Sequence, residues 1–313
     1  MANTYGKVSG TFQEIENAYG KVSGTWQEAD EIYAKVSGVW ELVFAAFTAT
    51  SLQTLSSGSG TFTVPDGANA IHIQASVGGG GGAAGGVSYD RAGGESSGAG
   101  GGSGAFVSDK VFTVTTGETI SYSIGSGGAA GNQTANYGQP KTGSAGTNTT
   151  LSGSSAGSIY TLAAGGGASG TNGGVQGPLR TNTAGTAGSA TINGTAISSG
   201  NFRDTDGTTK SVTTLTSGPV GTFNQSGNGV AGNNNGNCSG DNCQIGGSTG
   251  AASYAGNIAG GAGSPQGGST GGSAGTRGSG GGGGGAQYGN ESVTGRAEVG
   301  GAGEVQYRFL RVN

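Results

Sequence analysis

Residues 251–289 read AASYAGNIAGGAGSPQGGSTGGSAGTRGSGGGGGGAQYG, a long glycine tract interrupted by single side chains. From Gly272 glycine recurs at every third residue, which is the period of the polyproline-II helix, a conformation without internal hydrogen bonds. When such helices pack side by side, only glycine fits the crowded contacts, and the free backbone N–H and C=O groups pair between neighbours. The tract therefore predicts one rod in a bundle of polyglycine-II helices, with the other side chains facing outward or forming tips.

Glycine accounts for 75 of the 313 residues, but only five of these lie in the first 50. Such a shift in composition marks a module boundary, and it divides the chain into residues 1–48 and residues 49–313. A Gly/Ser-rich chain is usually disordered. Here the net charge is only −4 and strand-like runs recur throughout, which favours an ordered chain. Collagen is a poorer match, because the triplet repeat covers only a few residues and the chain has only five prolines.

The charge and hydropathy pattern argue against several classes of function. A pI of about 5.0 gives no basic surface for nucleic acid or anionic lipid. No apolar run reaches the roughly 18 residues that span a bilayer. The N-terminus, MANTYGKVSG, lacks the charged-then-apolar layout of a secretory signal. We therefore expect a soluble protein that is made in a cytoplasm. If it acts outside the cell, it leaves by another route, such as lysis.

Three copies of a 14-residue unit open the chain: YGKVSGTFQEIENA from Tyr5, YGKVSGTWQEADEI from Tyr19 and YAKVSGVWELVFAA from Tyr33. Each predicts a β-hairpin, because two β-prone segments flank a Ser-Gly pair that suits a two-residue turn. In the first unit this turn sets Lys7 opposite Phe12, and Tyr5 opposite Glu14. We expect the three hairpins to join into a meander of about six strands, because a lone hairpin is marginal in water.

The repeat module is compositionally unlike the rest of the chain and lies at one end of it, which favours a role in attachment. Its packing surface is then another hairpin, a copy in a homo-oligomer or a partner protein. The alternative is a small autonomous β-domain with no binding role. The aromatic residues expected to carry attachment are Tyr5, Phe12, Tyr19, Trp26, Tyr33 and Trp40.

Strong strand signals fill residues 60–165 and return at 304–313. In AIHIQASV, which follows Asn69, alternation with period two predicts a half-buried strand. Its apolar face would consist of Ile71, Ile73, Ala75 and Val77, and its polar face of His72, Gln74 and Ser76. Several strands run directly into glycine tracts, which predicts a sandwich with glycine-rich excursions from its edges. The predicted fold class is all-β: N-terminal β-hairpin repeats, then a β-sandwich base with packed polyglycine-II helices and distal loops.

The run TFTVPDGANAIHIQASVGGGGG, residues 61–82, resembles the opening of the glycine-rich domain of tailed-phage tail proteins. Most of residues 55–313 is also similar to the distal tail-fibre adhesins of T-even-like phages. That family stacks polyglycine-II helices and recognises host receptors through loops at the distal tips. The repeats of residues 1–45 resemble short aromatic/KV-S/N-G-x-W units near the termini of phage fibre and baseplate-associated proteins. The adhesins lack such an N-terminal module, so the mode of attachment stays open between a baseplate or tail tip and a longer fibre.

These resemblances imply a bacteriophage tail fibre or receptor-binding protein. Its virion partner would be a baseplate or tail-fibre protein. Its host receptor would be a glycan or an outer-membrane protein of the bacterial surface. The protein would be made in the host cytoplasm and located in the virion tail, with a homotrimer and a monomer both open. The alternative is a non-adhesive structural tail-tip or decoration protein.

Catalysis finds little support, and we assign no catalytic residue, cofactor or metal. The single histidine, His72, is expected to be a solvated or hydrogen-bonded strand residue. Asp204 and Asp206 form the best carboxylate pair, but neighbours two apart on a turn rarely flank a glycosidic bond. The pair also lacks the further acidic ligands of an EF-hand, so an Asp-Gly turn is the default. A depolymerase is disfavoured because paired carboxylates are scarce in the chain.

Cys238 and Cys243 are the only cysteines. Their spacing permits a small loop closed by a disulfide after release from a reducing cytoplasm, and two free thiols are the alternative. No histidine accompanies them, so a zinc site is not favoured.

Recognition is better supported, because isolated aromatic, Asn and Arg side chains occur in Gly/Ser frames between the glycine tracts, as in antibody loops. For each single aromatic residue, burial as a plug between rods is the alternative. The residues expected to contact a receptor are Tyr137, Arg180, Phe202, Arg203, Phe223, Asn234, Asp241, Tyr254 and Tyr288.

Overall fold

The computed structural model is all-β throughout the residues that it describes. Those residues are 5–8, 11–14, 19–28, 31–36, 38–45, 47–83, 95–96, 98–131, 142–168, 183–215, 225–227, 237–238, 244–245, 249–252, 260–262, 273–281, 286–287 and 297–313. In this part of the chain no helix is long and apolar enough to cross a membrane.

The strands, numbered along the chain, are β1 (Tyr5–Val8), β2 (Thr11–Glu14), β3 (Tyr19–Val22), β4 (Thr25–Glu28), β5 (Glu31–Val36), β6 (Val39–Ala45), β7 (Gln53–Leu55), β8 (Ser59–Thr63), β9 (Ala70–Val77), β10 (Glu95–Ser96), β11 (Phe106–Thr113), β12 (Thr119–Ser123), β13 (Thr149–Gly153), β14 (Gly157–Leu162), β15 (Ala190–Ile192), β16 (Ala196–Ile197), β17 (Asn201–Arg203), β18 (Thr209–Ser211), β19 (Gln225–Gly227), β20 (Asn237–Cys238), β21 (Gln244–Ile245), β22 (Ala286–Gln287) and β23 (Glu304–Leu310). A 3₁₀ turn, Val212–Thr214, follows β18.

The N-terminal repeats form the predicted hairpins. In β1–β2 the register sets Lys7 opposite Phe12 and Tyr5 opposite Glu14, which confirms the predicted pairing. The second hairpin turns at Ser23 and Gly24, whose φ angles of 49° and 87° are those of a turn that suits the twist of a hairpin. The six strands pair as three separate two-stranded sheets, so the expected continuous meander is wrong for the described residues.

Two antiparallel sheets form the sandwich. The first has the order β16-β11-β9-β23-β7, with β19 also paired to β11, and the second has the order β15-β14-β13-β12-β8. Their facing side chains make one core that includes Ile73, Phe112, Ile120, Leu151 and Tyr160, each with no exposed surface. The strand signal at residues 304–313 corresponds to the last strand, β23, which pairs with both β9 and β7.

The predicted alternation of β9 holds only to Ile73. At Gln74 the register against β23 shifts by one residue, between Gln306 and Tyr307. Such a bulge moves the following side chains to the other face. Ser76 therefore faces the core, where its hydroxyl accepts a hydrogen bond from Tyr160. Ala75 and Val77 lie on the opposite face in a separate cluster with Phe106, so the predicted apolar face is corrected for these two residues.

A bundle of extended glycine segments continues from the sandwich, and its axis is residues 78–83, the direct extension of β9. Successive N–H groups of this central segment point to three neighbours in turn and return to the same neighbour after three residues. The bonds run from Gly78 to Ala105, Gly79 to Thr147, Gly80 to Gly301, Gly81 to Gly102, Gly82 to Ser144 and Ala83 to Glu298. A period of three with all bonds between segments is the polyglycine-II arrangement.

The carbonyl groups of the central segment reach three further neighbours. Gly165, Gly128, Gly281, Ala168 and Gly131 donate to the oxygens of residues 79–83 in that order. The six neighbours also bond to one another in a closed ring, in the order 98–105, 163–168, 142–148, 125–131, 297–303 and 279–281. Segments 183–189, 249–252, 260–262 and 273–275 lie outside this ring.

The prediction of a single rod over residues 251–289 is wrong. The chain turns back between Thr276 and Ser279, where Arg277 and Gly278 have φ angles of 42° and 73°. The segments before and after this turn are therefore separate rods, and the second of them belongs to the ring around residues 78–83.

Candidate functional site

The glycine bundle has a base end at the sandwich and a far end. One set of rods runs away from the sandwich: 78–83, 125–131, 163–168 and 279–281. Residue 78 of the central rod follows β9, and the other rods of this set are parallel to it, because residues further along each of them donate to carbonyls further along the central rod. The rods 98–105, 142–148, 183–189 and 297–303 run back toward the sandwich. The chain therefore leaves the ring at its far end after residues 83, 131, 168 and 281, and it re-enters the bundle at that same end at residues 98, 142, 183 and 297.

Short strands lie near the far end of the bundle. β10 pairs with β20 and β21 pairs with β22, and these four strands lie close to one another. β10 directly precedes the rod 98–105, and β22 follows the rod 279–281 by a few residues. The far end thus carries a small β cluster that joins three distant parts of the sequence.

Most of the residues predicted to contact a receptor lie outside the described residues. These are Tyr137, Arg180, Phe223, Asn234, Asp241, Tyr254 and Tyr288. By chain connectivity, Tyr137 belongs to the connection 132–141, Arg180 to the connection 169–182 and Tyr288 to the connection 282–296, all three of which start and end at the far end. Their contact with a receptor stays a prediction.

Phe202 and Arg203 are described, and they lie at the base end. β17 and β18 form a hairpin that packs on the outer face of the first sheet. The ring of Phe202 is 2% exposed and is buried in a cluster with Val111, Val212 and Leu310. The prediction that Phe202 is displayed on a loop is therefore wrong. Arg203, which is partly buried, accepts a backbone hydrogen bond from Ala49 at the start of the sandwich.

Charged side chains link this hairpin to the sheet beneath it. Asp204 accepts a hydrogen bond of 2.7 Å from Arg308 Nη1 on β23, and its other oxygen pairs with the ammonium group of Lys210. The guanidinium group of Arg308 also lies over the Phe202 ring, 5.5 Å from its centroid. The sequence identified Asp204, but nothing local to it indicated Arg308, which is 104 residues away along the chain.

Lys210 occupies the place that a cation would take between the two carboxylates, since it also lies 3.4 Å from Asp206. Within the described ranges, no group of three His, Cys, Asp or Glu residues is placed to hold a metal ion. Hydrogen bonds from the Thr208 hydroxyl and N–H lower the pKa of Asp206 to about 2. Burial raises the pKa of Asp204, but the hydrogen bonds from Lys210 and Thr205 and the charge of Arg308 outweigh it, so the pKa of Asp204 is lowered.

His72 is fully buried beneath the same hairpin, where its Nδ1 accepts a hydrogen bond of 3.3 Å from Arg308 Nε. This bond assigns the proton of the neutral ring to Nε2, which lies 3.5 Å from Asp109 Oδ1. Of the two roles expected for His72, the structure shows the hydrogen-bonded one. Burial is the main cause that lowers the pKa of His72; Arg308 lowers it further, while Asp109 and Asp204 oppose the shift.

The lowered pKa of His72 predicts a loss of stability in mild acid. The unfolded chain takes up a proton on this ring below pH 6.5, whereas the folded protein resists it, so the free energy of unfolding falls as the pH drops through 6.5. The slope is at most about 1.4 kcal/mol per pH unit. Asp204 and Asp206 do not contribute to this loss, because their pKa values are lowered from 3.8. The stability that their charged forms provide is lost only when the pH falls below 3.8. Urea unfolding at intervals between pH 7.5 and about pH 5 measures the slope.

The control for this prediction is His72→Gln, which keeps polar atoms in the site but has no titratable group. Its unfolding free energy should change less over the same pH range. An equal slope in the two proteins would assign the acid sensitivity to other groups.

Of the residues predicted for attachment, Trp40 has the best described surroundings. Its side chain is 66% exposed and pairs across the third hairpin with Lys35, which is also exposed. The other five have described strand positions only. Cys238 lies in β20 opposite Glu95, while Cys243 is outside the described residues, so the disulfide stays a prediction.

The fold and the two ends of the bundle define a class of protein: a β-sandwich that holds a polyglycine bundle, with the chain entering at the base and looping at the far end. A family model described as a glycine-rich domain matches residues 54–310, so the chain belongs to that family. The match begins within β7 and ends at the last residue of β23, which leaves the N-terminal hairpins outside it. No curated protein matches the chain.

Proposed function

We propose that this protein is a bacteriophage tail fibre adhesin. It attaches to a baseplate or tail-fibre protein of the virion through its N-terminal hairpins. It binds a receptor on the bacterial surface, a glycan or an outer-membrane protein, through the connections at the far end of the glycine bundle. It acts by binding, without catalysis.

The polarity of the chain carries this proposal. The segment that follows the N-terminal hairpins joins the sandwich, which lies at the base end of the bundle. There the N–H of Ala49 donates to the Arg203 carbonyl, and the N–H of Thr50 donates to the Phe309 carbonyl. The connections 84–97, 132–141, 169–182 and 282–296 start and end at the opposite end, the far end of the bundle. An adhesin needs this separation, because one end must be held by the virion while the other reaches the cell.

The bundle also suits the display of binding residues. Its rods are tied by backbone hydrogen bonds on every side of the central segment, and both ends of each connection are fixed in this frame. Fixed ends reduce the conformational freedom that a connection loses when it binds a partner. Several connections from one frame can engage one receptor together, which strengthens binding through a high effective concentration.

Replacing the connections 132–141 and 169–182 with Gly/Ser segments of equal length tests the proposal. These connections contain Tyr137 and Arg180, and aromatic and Arg side chains often dominate binding energy. We expect cell binding of the purified protein to fall by about tenfold or more, the effect of losing roughly 1.4 kcal/mol. Fluorescently labelled full-length protein is titrated against a panel of bacterial strains, and phage adsorption is measured with each protein as competitor.

The control carries Thr63→Ala and Thr191→Ala, two exposed positions on the sandwich, and should bind as the wild type does. Wild-type protein that binds no strain and blocks no adsorption would favour the non-adhesive structural role. Loss of capsule or lipopolysaccharide during incubation would instead indicate an enzyme. A chain without residues 5–45 should still bind cells but fail to join virions, and its normal incorporation would remove the attachment role.

A further inference from the structure

The outer rods of the bundle share a two-bond contact that involves a hydroxyl side chain. Thr147 donates its N–H to the Ser126 carbonyl at 2.9 Å, and its Oγ1 accepts the Ser126 N–H at 2.7 Å. Ser144 makes the same pair of bonds with Ala129, at 2.9 and 2.7 Å. We call each such residue pair a hydroxyl rung.

A third hydroxyl rung joins two other rods. Ser273 donates its N–H to the Ala262 carbonyl at 2.8 Å, and its Oγ accepts the Ala262 N–H at 2.7 Å. All six residues of the three rungs are exposed. The same arrangement thus occurs on two separate pairs of rods. In each of the three rungs, a backbone N–H on the perimeter is bonded to a side-chain oxygen.

The position of the rungs follows from how the bundle is built. In the centre, each N–H of residues 78–83 finds a carbonyl on a neighbouring rod, because six neighbours surround this segment. A rod on the perimeter has no neighbour on its outer side. Its outward N–H groups would bond to water or to a rod of another molecule, just as an open strand edge does in a sheet. In the rungs, the hydroxyl oxygen takes the place of that missing carbonyl.

We propose that the hydroxyl rungs close the perimeter of the glycine bundle against a second copy of this chain. The second copy is the relevant occupant because its rods have the same chemistry. Rods of this chain already pair with one another in both parallel and antiparallel directions within the bundle. Where the outward N–H groups are already bonded, a rod from another molecule gains no hydrogen bond there.

The sequence carries a matching signal. Ser144 and Thr147 are three residues apart on one rod, and their partners Ser126 and Ala129 are three apart on the next. A spacing of three returns to the same side of a polyglycine-II helix, so both rungs lie on one face. Hydroxyl residues at this spacing, separated by Gly or Ala, therefore mark an outer face in this bundle.

The test is the full-length double variant Ser144→Ala/Thr147→Val, which removes both hydroxyls from one face. Hydrogen exchange of the Ser126 and Ala129 amides should become about two- to tenfold faster, which is the range expected for the net loss of one hydrogen bond. Sedimentation velocity over a series of protein concentrations should show a dimer that the wild type does not form at the same concentrations.

The matched control is Thr61→Val/Ser121→Ala, which makes the same two chemical changes at paired, exposed positions on the sandwich. It should change neither measurement. Thr147→Ser keeps the hydroxyl and should retain slow exchange at Ser126. If the double variant does not fold, Ser144→Ala alone gives the same readout at Ala129. Unchanged exchange at Ser126 and Ala129 would show that the hydroxyls do not protect these amides. Faster exchange without self-association would show that the rungs do not prevent pairing with a second copy.

Discussion

Gly81→Ala should abolish the folded glycine bundle. A Cβ atom on Gly81 would lie against the carbonyl group of Gly166, closer than real Cβ atoms approach backbone. Gly81 lies in the central segment, whose six neighbours are bonded in a closed ring, so no neighbour can move without breaking its own hydrogen bonds. We expect a loss of more than about 4 kcal/mol, a large part of the 5–15 kcal/mol that typically stabilises a folded protein. Urea unfolding and soluble yield measure it.

The control is Gly157→Ala, at a turn where a Cβ atom would meet nothing within 4 Å. Gly157 has a φ angle of 68°, so alanine there should cost only the backbone strain of about 1–2 kcal/mol. A loss for Gly81→Ala no larger than this would mean that the bundle does not require glycine at its centre.

The sequence predicts a bundle of glycine rods, but it does not show which segment lies at the centre of that bundle. A central rod needs glycine in all three positions of the triplet, since every side of it faces another rod. Residues 78–82 meet this condition. Around Gly275, by contrast, two of three positions carry side chains, which suits a perimeter rod with one inward face. The unbroken run at 280–285 looks the same as 78–82 in sequence, so composition alone could not choose between them.

Local signals were the most reliable. The Ser-Gly turn fixes the register of each hairpin within 14 residues, so the pairing of Lys7 with Phe12 could be predicted. The bulge at Gln74 could not, because it depends on the pairing of β9 with β23, more than 200 residues later.

The same limit applies to His72 and Phe202. Alternation correctly put His72 on the opposite face of β9 from Ile71, but that face is covered by β17 and β18. Their sequence, an aromatic residue next to a charged Asp-Gly turn, has the composition of a displayed loop. Only the packing on the sheet distinguishes a buried hairpin from a binding loop.

Phe202→Ala should therefore destabilise the protein and leave receptor binding per folded molecule unchanged. The ring is buried among Val111, Val212 and Leu310, and its removal leaves a cavity and also removes the contact with Arg308. Large-to-small changes of this kind cost about 3–5 kcal/mol. Urea unfolding measures the loss, and cell binding is compared at equal concentrations of folded protein.

Phe202→Leu is the matched control, because leucine refills most of the volume and should cost less than about 1.5 kcal/mol. The two variants separate the opposing roles of this residue. A core residue predicts a graded loss of stability from Leu to Ala with constant binding. A receptor contact predicts the reverse, with stability nearly constant and binding lost, and that result would return Phe202 to the binding site from which its burial removes it.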